Sequence, residues 1–236
     1  MSDEYYEHYW EQDHIQTGSP HLVWKKTIVE GLPLSGKRLL DVGCGNGFIA
    51  ASFVDRFETY GVDISTVALK AAAEKGIRTA AIDANQMELP YPDQFFDVII
   101  CLDVLEHVFD PLALTKEIHA KLVPQGTFIV CVPNILNLFN RIHFLRGEFV
   151  DVMDVAHRTN ALFSEHIRLF SKSTLETLLD QASFKVTQRY FYFPQKFSET
   201  SWKKVQFLGD LVNALKIPQR LPTLFALGLL YVCQKS

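Results

Sequence analysis

The length, composition and charge of the chain limit what it can be. Its 236 residues suit one α/β domain, and a hydrophobic fraction of 48% is typical of a globular protein. The net charge of −4, with no basic run, argues against nucleic acid as a partner, because phosphate contacts need clustered Lys and Arg. The four cysteines lack metal-ligand spacing, and no apolar run is long enough for a membrane span. We therefore expect a cytoplasmic monomer or homodimer with reduced thiols and no integral membrane segment.

Helix and strand patterns alternate along most of the chain. A helix is expected over residues 19–31, with an apolar face formed by Leu22, Val23, Lys26, Ile28 and Val29. Five apolar segments are expected to be strands: residues 38–42, 59–62, 78–82, 95–102 and 127–132. Residues 48–57 are compatible with a helix, and further helices are expected over residues 68–75, capped by Ser65, and 111–123.

The C-terminal part continues this pattern after an interruption. A helix is expected over residues 173–182, a strand over 184–191, and a last antiparallel strand beside it over 224–232. An amphipathic helix is expected over residues 202–215. Because alternating strands and helices form parallel sheets with right-handed crossovers, we expect an α/β fold. It should be a doubly wound, seven-stranded, mostly parallel sheet with helices on both faces and an antiparallel last strand.

A glycine-rich turn, DVGCGNG at residues 41–47, ends the first predicted strand. Glycine permits a sharp turn and a close approach of ligand to backbone, and open α/β sheets bind ligands at this edge. A dinucleotide fingerprint would require a third glycine where Phe48 stands, and no Lys-Ser/Thr follows for a phosphate loop. Asp41 places an acid at the turn, which suits a cationic ligand better than a pyrophosphate.

This turn resembles motif I of the class I S-adenosylmethionine-dependent methyltransferases, which have a Rossmann-like fold. GVDIS around Asp63 and IDA around Asp83 end the next two strands, and FDVII at residues 96–100 is similar to the family's motif on the fourth strand. The resemblance implies S-adenosylmethionine as cofactor, with its ribose hydroxyls on Asp63 and its adenine amino group facing Asp83. Each acid taken singly is also compatible with simple helix capping. The implied cofactor-binding residues are Asp41, Gly43, Cys44, Gly45, Gly47, Asp63, Ile64, Asp83, Ala84 and Leu102.

The segment CLDVLEHV at residues 101–108 follows the fourth strand and is expected to face the transferred methyl group. His107 is the candidate base, since the ordinary pKa of histidine lies near neutrality, although Glu106 and His107 would also serve to fix the loop. The sequence L-E-H-V resembles the corresponding segment of small-molecule methyltransferases, including those acting on quinone precursors. In some of these, two acids and the adjacent histidine bind a divalent metal. Here Asp103 stands where the longer Glu is usual, so no metal is expected at Asp103, Glu106 and His107.

An insertion at residues 134–171 carries further candidates for the acceptor site. EHIRLFS at residues 165–171 resembles the H-x-R-x-F-[ST] segment of bacterial methyltransferases found with glycan and lipid pathways. His166 is the third candidate catalytic residue, and His143 and His157 are candidate substrate contacts. Arg168 could bind a carboxylate or phosphate of the substrate, or pair with an acid across the loop.

The expected organisation is one methyltransferase domain over residues 1–236. An aromatic lid at residues 1–18 and insertions at residues 134–171 and 192–222 are expected to cover the substrate. The expected reaction is methylation of a small molecule at oxygen, with a quinone, glycan or lipid precursor as acceptor. Two alternatives stay open: a non-catalytic S-adenosylmethionine-binding partner or regulator, and a peripheral membrane enzyme that methylates lipids. A nicotinamide oxidoreductase is disfavoured by the missing third glycine.

Overall fold

The structure, a computed structural model, describes residues 19–86, 88–148, 166–193 and 220–236. Its strands are β1 Arg38–Val42, β2 Glu58–Asp63, β3 Arg78–Ala81, β4 Phe96–Leu102, β5 Leu122–Pro133, β6 Phe184–Tyr192 and β7 Gly228–Lys235. Its α-helices are α1 Pro20–Glu30, α2 Thr66–Ala73, α3 Pro111–Lys121, α4 Leu138–Leu145, α5 Lys172–Gln181 and α6 Pro222–Phe225. The predicted lid and the predicted helix at residues 202–215 lie outside the described residues.

The seven strands form a single sheet in the order β3-β2-β1-β4-β5-β7-β6. Strand β7 is antiparallel to both of its neighbours, and the remaining pairs are parallel, which confirms the predicted fold class. The chain winds outward from β1 through β2 to β3 and then returns to β4 on the other side of β1. This reversal between β1 and β4 creates the crevice at which open α/β sheets bind their ligands.

The core lies on both faces of the sheet because alternate strand residues point to opposite sides. Leu40 and Ile99 belong to the core that includes residues of α3 and α5. Leu39 and Ile100, their neighbours along the same strands, belong to the core that includes Val29 of α1. The central strands are therefore buried on both faces, which accounts for the nearly continuous apolar sequence of β4.

Several elements differ from the sequence predictions. Residues 48–57 contain a 3-10 helix, Ala50–Phe53, in place of an α-helix, because successive tight turns bring the chain from β1 to β2 over a short distance. Helix α4, capped by the Asn137 side chain, lies in the insertion where no helix is predicted. The last strand begins at Gly228, since helix α6 begins with Pro222 and occupies the preceding residues. None of the helices that the structure describes is long and apolar enough to cross a membrane.

Candidate active site

A cavity of about 500 Å³ lies at the crevice between β1 and β4. This volume falls within the usual range for sites that bind small molecules and cofactors. The predicted site residues that line it come from five separate parts of the chain. They are Asp41, Gly43, Cys44, Gly45, Asp63, Ile64, Asp83, Ala84, Leu102, Glu106, His107 and His166. Gly47 is the one predicted cofactor-binding residue that does not line the cavity.

The glycine turn requires glycine for two different steric reasons. Gly43, Gly45 and Gly47 have φ values of +72°, +50° and +73°, in the left-handed region that favours glycine. A Cβ on Gly43 would lie 2.3 Å from Val104 Cγ2, in the loop after β4. A Cβ on Gly47 would lie 2.4 Å from Ile77 Cδ1, beneath the turn. Gly43 therefore allows the turn to lie against the loop after β4, whereas Gly47 allows the turn to pack on Ile77.

Asp63 joins the ends of two strands at the wall of the cavity. Its Oδ2 atom accepts a hydrogen bond from the Gly45 amide at 2.8 Å, and its Oδ1 atom accepts one from the Ser65 amide at 3.0 Å. The hydroxyl of Ser65 in turn accepts from the Ala68 amide and caps α2, as predicted. The position of the Asp63 carboxylate is therefore fixed by the backbone of both neighbouring segments.

Asp41 is a buried acid at the same edge of the sheet. Burial raises the pKa of Asp41 to about 8, and the negative charge of Asp63 acts in the same direction. The carboxyl group is therefore largely protonated near neutral pH. A cation bound in the cavity would favour its ionised form.

Asp83 organises the side of the cavity beyond β3. Its Oδ1 atom accepts hydrogen bonds from the Asn85 amide at 2.8 Å and from Asn85 Nδ2 at 2.9 Å. The side-chain oxygen of Asn85 accepts from the Phe109 amide at 2.9 Å. A single asparagine thus connects this acid with the loop after β4, although the sequence analysis did not identify Asn85.

Glu106, His107 and His166 meet in the lining of the same cavity. The rings of His107 and His166 lie 5.0 Å apart, centroid to centroid, at 65°. A carboxylate oxygen of Glu106 and one ring nitrogen of each histidine lie within 4.8 Å of one another. The amides of Ile167 and Arg168 both donate to the Glu106 carbonyl, at 2.9 and 3.0 Å, which docks the His166 segment on the loop after β4.

The other candidates of the insertion lie elsewhere. His143 pairs with Glu148 at 2.6 Å, and it does not line the cavity. The Arg168 guanidinium donates from Nε to the Phe109 carbonyl at 3.2 Å, and its two predicted partners, a substrate anion and an acid across the loop, stay predictions. It also lines a smaller cavity of about 160 Å³. His157 lies outside the described residues.

Helix α1 contributes residues that the sequence analysis missed. Lys25 lines the cavity and forms an ion pair with the Asp103 carboxylate, and its side chain is 2% exposed. His21 also lines the cavity, and burial together with the Lys25 charge lowers the pKa of His21 to about 3. The prediction placed Lys26 on the apolar face of this helix, but the buried residues are Lys25 and Val29. Leu22, Lys25 and Val29 lie three and four residues apart, and this helical spacing is the signal that would have indicated the burial of Lys25.

The metal set implied by the family resemblance does not fit this arrangement. Glu106 and His107 come together with His166, whereas Asp103 lies with His21 and Cys131 and is ion-paired to Lys25. The ammonium group therefore holds the acid that would be the first metal ligand. Among the described residues, the carboxylate of Glu106 and the imidazoles of His107 and His166 form a second donor set that could hold an ion.

Comparisons with known proteins agree with this geometry. Residues 21–189 match the family model described as a methyltransferase domain. A ubiquinone biosynthesis O-methyltransferase from Psychrobacter cryohalolentis is 33% identical over 137 residues, which are 54% of this chain and 51% of the relative. The chain thus spans about half the length of the curated relatives it matches.

Solved structures share the fold at lower identity. A SAM-dependent methyltransferase from Archaeoglobus fulgidus has a TM-score of 0.62 at 21% identity, covering 92% of this chain and 95% of that one. A phosphoethanolamine N-methyltransferase from Haemonchus contortus, in complex with S-adenosyl-L-methionine, has a TM-score of 0.59 at 18% identity. That similarity covers 99% of this chain and 57% of the other.

The fold is that of the class I methyltransferases, and the family model that matches residues 21–189 describes a methyltransferase domain. Because the matching residues make up more than half of the chain, the protein belongs to the methyltransferase domain family. Family membership assigns it to the methyltransferases, and the structural neighbour described above holds S-adenosyl-L-methionine.

Proposed function

We propose that this enzyme methylates a small-molecule acceptor at an oxygen atom. The observation that carries the proposal is that His107 lines the same cavity as Asp41 and Asp63. A proton-accepting side chain therefore lines the same cavity as the acids that we assign to the cofactor. Removing a proton is most useful for hydroxyl acceptors, because a neutral amine already carries a nucleophilic lone pair.

We assign a role in cofactor binding to the lining residues that follow β1, β2, β3 and β4. Asp63, fixed by two backbone amides, binds the ribose hydroxyls. Asp83 faces the adenine amino group, and Ile64 and Leu102 form the apolar walls beside the ring. Asp41 lies near the cationic methionine end, where a positive charge favours its ionised form.

The remaining members of the glycine turn shape the backbone around the cofactor. Gly43 and Gly45 expose the backbone, and Ala84 completes the lining near Asp83. Gly47 lets the turn pack closely on Ile77 and Ala72. Cys44 contributes its backbone, since its buried Sγ atom lies close to Gly61.

The acceptor end then has to orient one oxygen and remove its proton. S-adenosylmethionine supplies a methyl carbon already activated by its sulfonium. His107 accepts the proton of the acceptor hydroxyl, while Glu106 and His166 orient the imidazole ring. Such positioned proton transfer contributes roughly 10²–10⁴-fold to the rate of a reaction.

A relative and the cavity lining support one acceptor class. The 33% identical relative is named a ubiquinone biosynthesis O-methyltransferase, which favours an acceptor of the quinone-precursor type. Beside its acids and histidines, the lining includes the apolar residues Leu89, Val104, Val108 and Pro133, which suits an aromatic alcohol of modest size. Glycan and lipid precursors are the other acceptor types suggested by the segment around His166.

The test measures transfer of a labelled methyl group from S-adenosylmethionine to a panel of mono- and dihydroxybenzoates. Mass spectrometry of the product identifies the methylated atom. We expect a methyl ether. Cofactor binding without transfer to any hydroxyl acceptor would favour the non-catalytic alternative, and transfer to amines alone would contradict O-methylation.

A further inference from the structure

A buried cation, the ammonium group of Lys25, lies in the wall of the cavity that His107 also lines. The Lys25 side chain is 2% exposed, and lysines are almost never so buried unless they are paired. Its partner is the carboxylate of Asp103, at the end of β4. Burial is the largest influence on the pKa of Lys25 and lowers it, while Cys131 and Glu106 act in the opposite direction. The ion pair with Asp103 favours the charged form of the ammonium group.

Asp103 presents its carboxylate to the cavity. Its side chain is 36% exposed and lines the cavity, so the pair is closed on the Lys25 side and accessible on the Asp103 side. Its φ of +56° is uncommon for a residue other than glycine, and its amide donates to the Cys131 carbonyl at 3.0 Å. Its Oδ1 atom is buried and has no hydrogen-bond partner among the described residues. The accessible oxygen of this carboxylate is therefore Oδ2, which contacts Lys25 and can accept a further hydrogen bond from the cavity.

The adjacent ammonium discriminates between two kinds of acceptor. A hydroxyl group can donate its hydrogen to Asp103 without adding charge, and any negative charge that develops on its oxygen is stabilised by Lys25. A protonated amine would also donate to Asp103, but it would place a second cation beside Lys25. Like charges brought together in a partly buried site are strongly unfavourable.

We propose that the Lys25–Asp103 pair selects the acceptor: Asp103 accepts a hydrogen bond from a neutral hydroxyl group, and Lys25 positions that carboxylate and excludes protonated amines. This inference rests on the proposed O-methylation and adds an uncharged alcohol or phenol as the acceptor class. Asp103 is the residue that contacts the acceptor. Lys25 is a positioning residue that acts through it.

The test uses two probes of nearly equal shape, benzyl alcohol and benzylamine, because the amine is protonated at neutral pH. Binding to protein saturated with S-adenosylhomocysteine is measured by ligand-observed NMR. We expect benzyl alcohol to bind at least about tenfold more tightly than benzylamine. Lys25→Met should abolish or reverse this preference, and Lys25→Arg should keep it. Asp103→Asn should weaken binding of benzyl alcohol.

A distant Lys–Asp pair supplies the matched control. Lys121 Nζ and Asp93 Oδ1 lie 2.8 Å apart, and neither residue lines the cavity. Lys121→Met and Asp93→Asn should leave the preference unchanged. Because Lys25→Met leaves a charge unpaired, the double variant Lys25→Met/Asp103→Asn removes both charges and should bind the two probes with equal, weak affinity. Calorimetry with S-adenosylhomocysteine reports whether each variant keeps a folded cofactor site.

Three results would overturn the inference while the proposed function stands. The first is a wild-type protein that binds benzylamine as tightly as benzyl alcohol. The second is an unchanged preference in a Lys25→Met variant that still binds S-adenosylhomocysteine, and the third is no binding of either probe. Failure of the wild-type protein to bind S-adenosylhomocysteine would instead contradict the proposed function.

Discussion

The carboxylate of Asp63 accepts a hydrogen bond from the Gly45 amide at 2.8 Å, which joins the end of β2 to the glycine turn after β1. The same side chain lines the cavity. One acid therefore holds the turn in shape and faces the ligand at once. Removing it should affect cofactor binding through both contacts.

We expect Asp63→Ala to lower the affinity for S-adenosylmethionine by at least about 100-fold. Hydrogen bonds to charged groups contribute about 1.5–3 kcal/mol each, and the variant loses those to ribose as well as that to Gly45. Isothermal titration calorimetry measures the affinity. Asp55→Ala, which removes an exposed acid outside the cavity lining, should bind like the wild type. Unchanged affinity in Asp63→Ala would refute the cofactor assignment.

Cofactor binding near neutral pH should release a proton from Asp41. The pKa of this carboxyl is raised from 3.8 to about 8 by burial, so it is mostly protonated at pH 7 and must ionise to favour a bound cation. The affinity should therefore rise with pH until about 8 and level off above it. Calorimetry at pH 7 in phosphate and in Tris detects the released proton as a difference in apparent enthalpy. Asp41→Asn should eliminate this difference, and its persistence would assign the proton to another group.

Gly43→Ala should destabilise the fold more than Gly147→Ala. Both glycines have left-handed φ values, +72° and +70°. A Cβ on Gly43 would lie 2.3 Å from Val104 Cγ2, whereas a Cβ on Gly147 would have nothing within 4 Å. The backbone penalty of about 1–2 kcal/mol is common to both, and overpacking at Gly43 adds about 1–3 kcal/mol. Urea unfolding measures the two free energies, and equal values would show that the clash relaxes without cost.

His107→Ala should lower kcat by about 10²–10⁴-fold with an accepted hydroxyl substrate and leave cofactor affinity nearly unchanged. The reason is that the proposed role of His107 is to accept the proton of the acceptor, whereas Asp63 and Asp83 are proposed to bind the cofactor. His143→Ala provides the matched control, since His143 pairs with Glu148 outside the cavity lining. Steady-state kinetics and calorimetry separate the two effects. A His107→Ala variant with full turnover would leave only a structural role for the imidazole.

The cofactor end could be predicted from the sequence because its signals are local. Asp41, Asp63 and Asp83 each lie at or just beyond the end of a short apolar strand, and parallel strands bring their carboxyl ends to one edge. The order of strands then follows from right-handed crossovers. The reversed strand β7 could be predicted from its position after β6, although α6 shifts its beginning to Gly228.

The acceptor end could be predicted only in part because its contacts span long sequence separations. His107 and His166 meet because two backbone amides dock on the Glu106 carbonyl, a contact that no local pattern indicates. Lys25 was missed because a lysine in an amphipathic helix is normally solvent-exposed. Its burial depends on Asp103, whose left-handed backbone conformation is determined by the tertiary fold.

A crystal structure with bound S-adenosylhomocysteine tests the central claim most directly, since it places every cofactor atom against the cavity. We expect the ribose hydroxyls to contact the Asp63 carboxylate, the adenine ring to lie between Ile64 and Leu102, and the sulfur atom to face His107. A ligand bound outside this cavity, or ribose hydroxyls without contact to Asp63, would contradict the assignment.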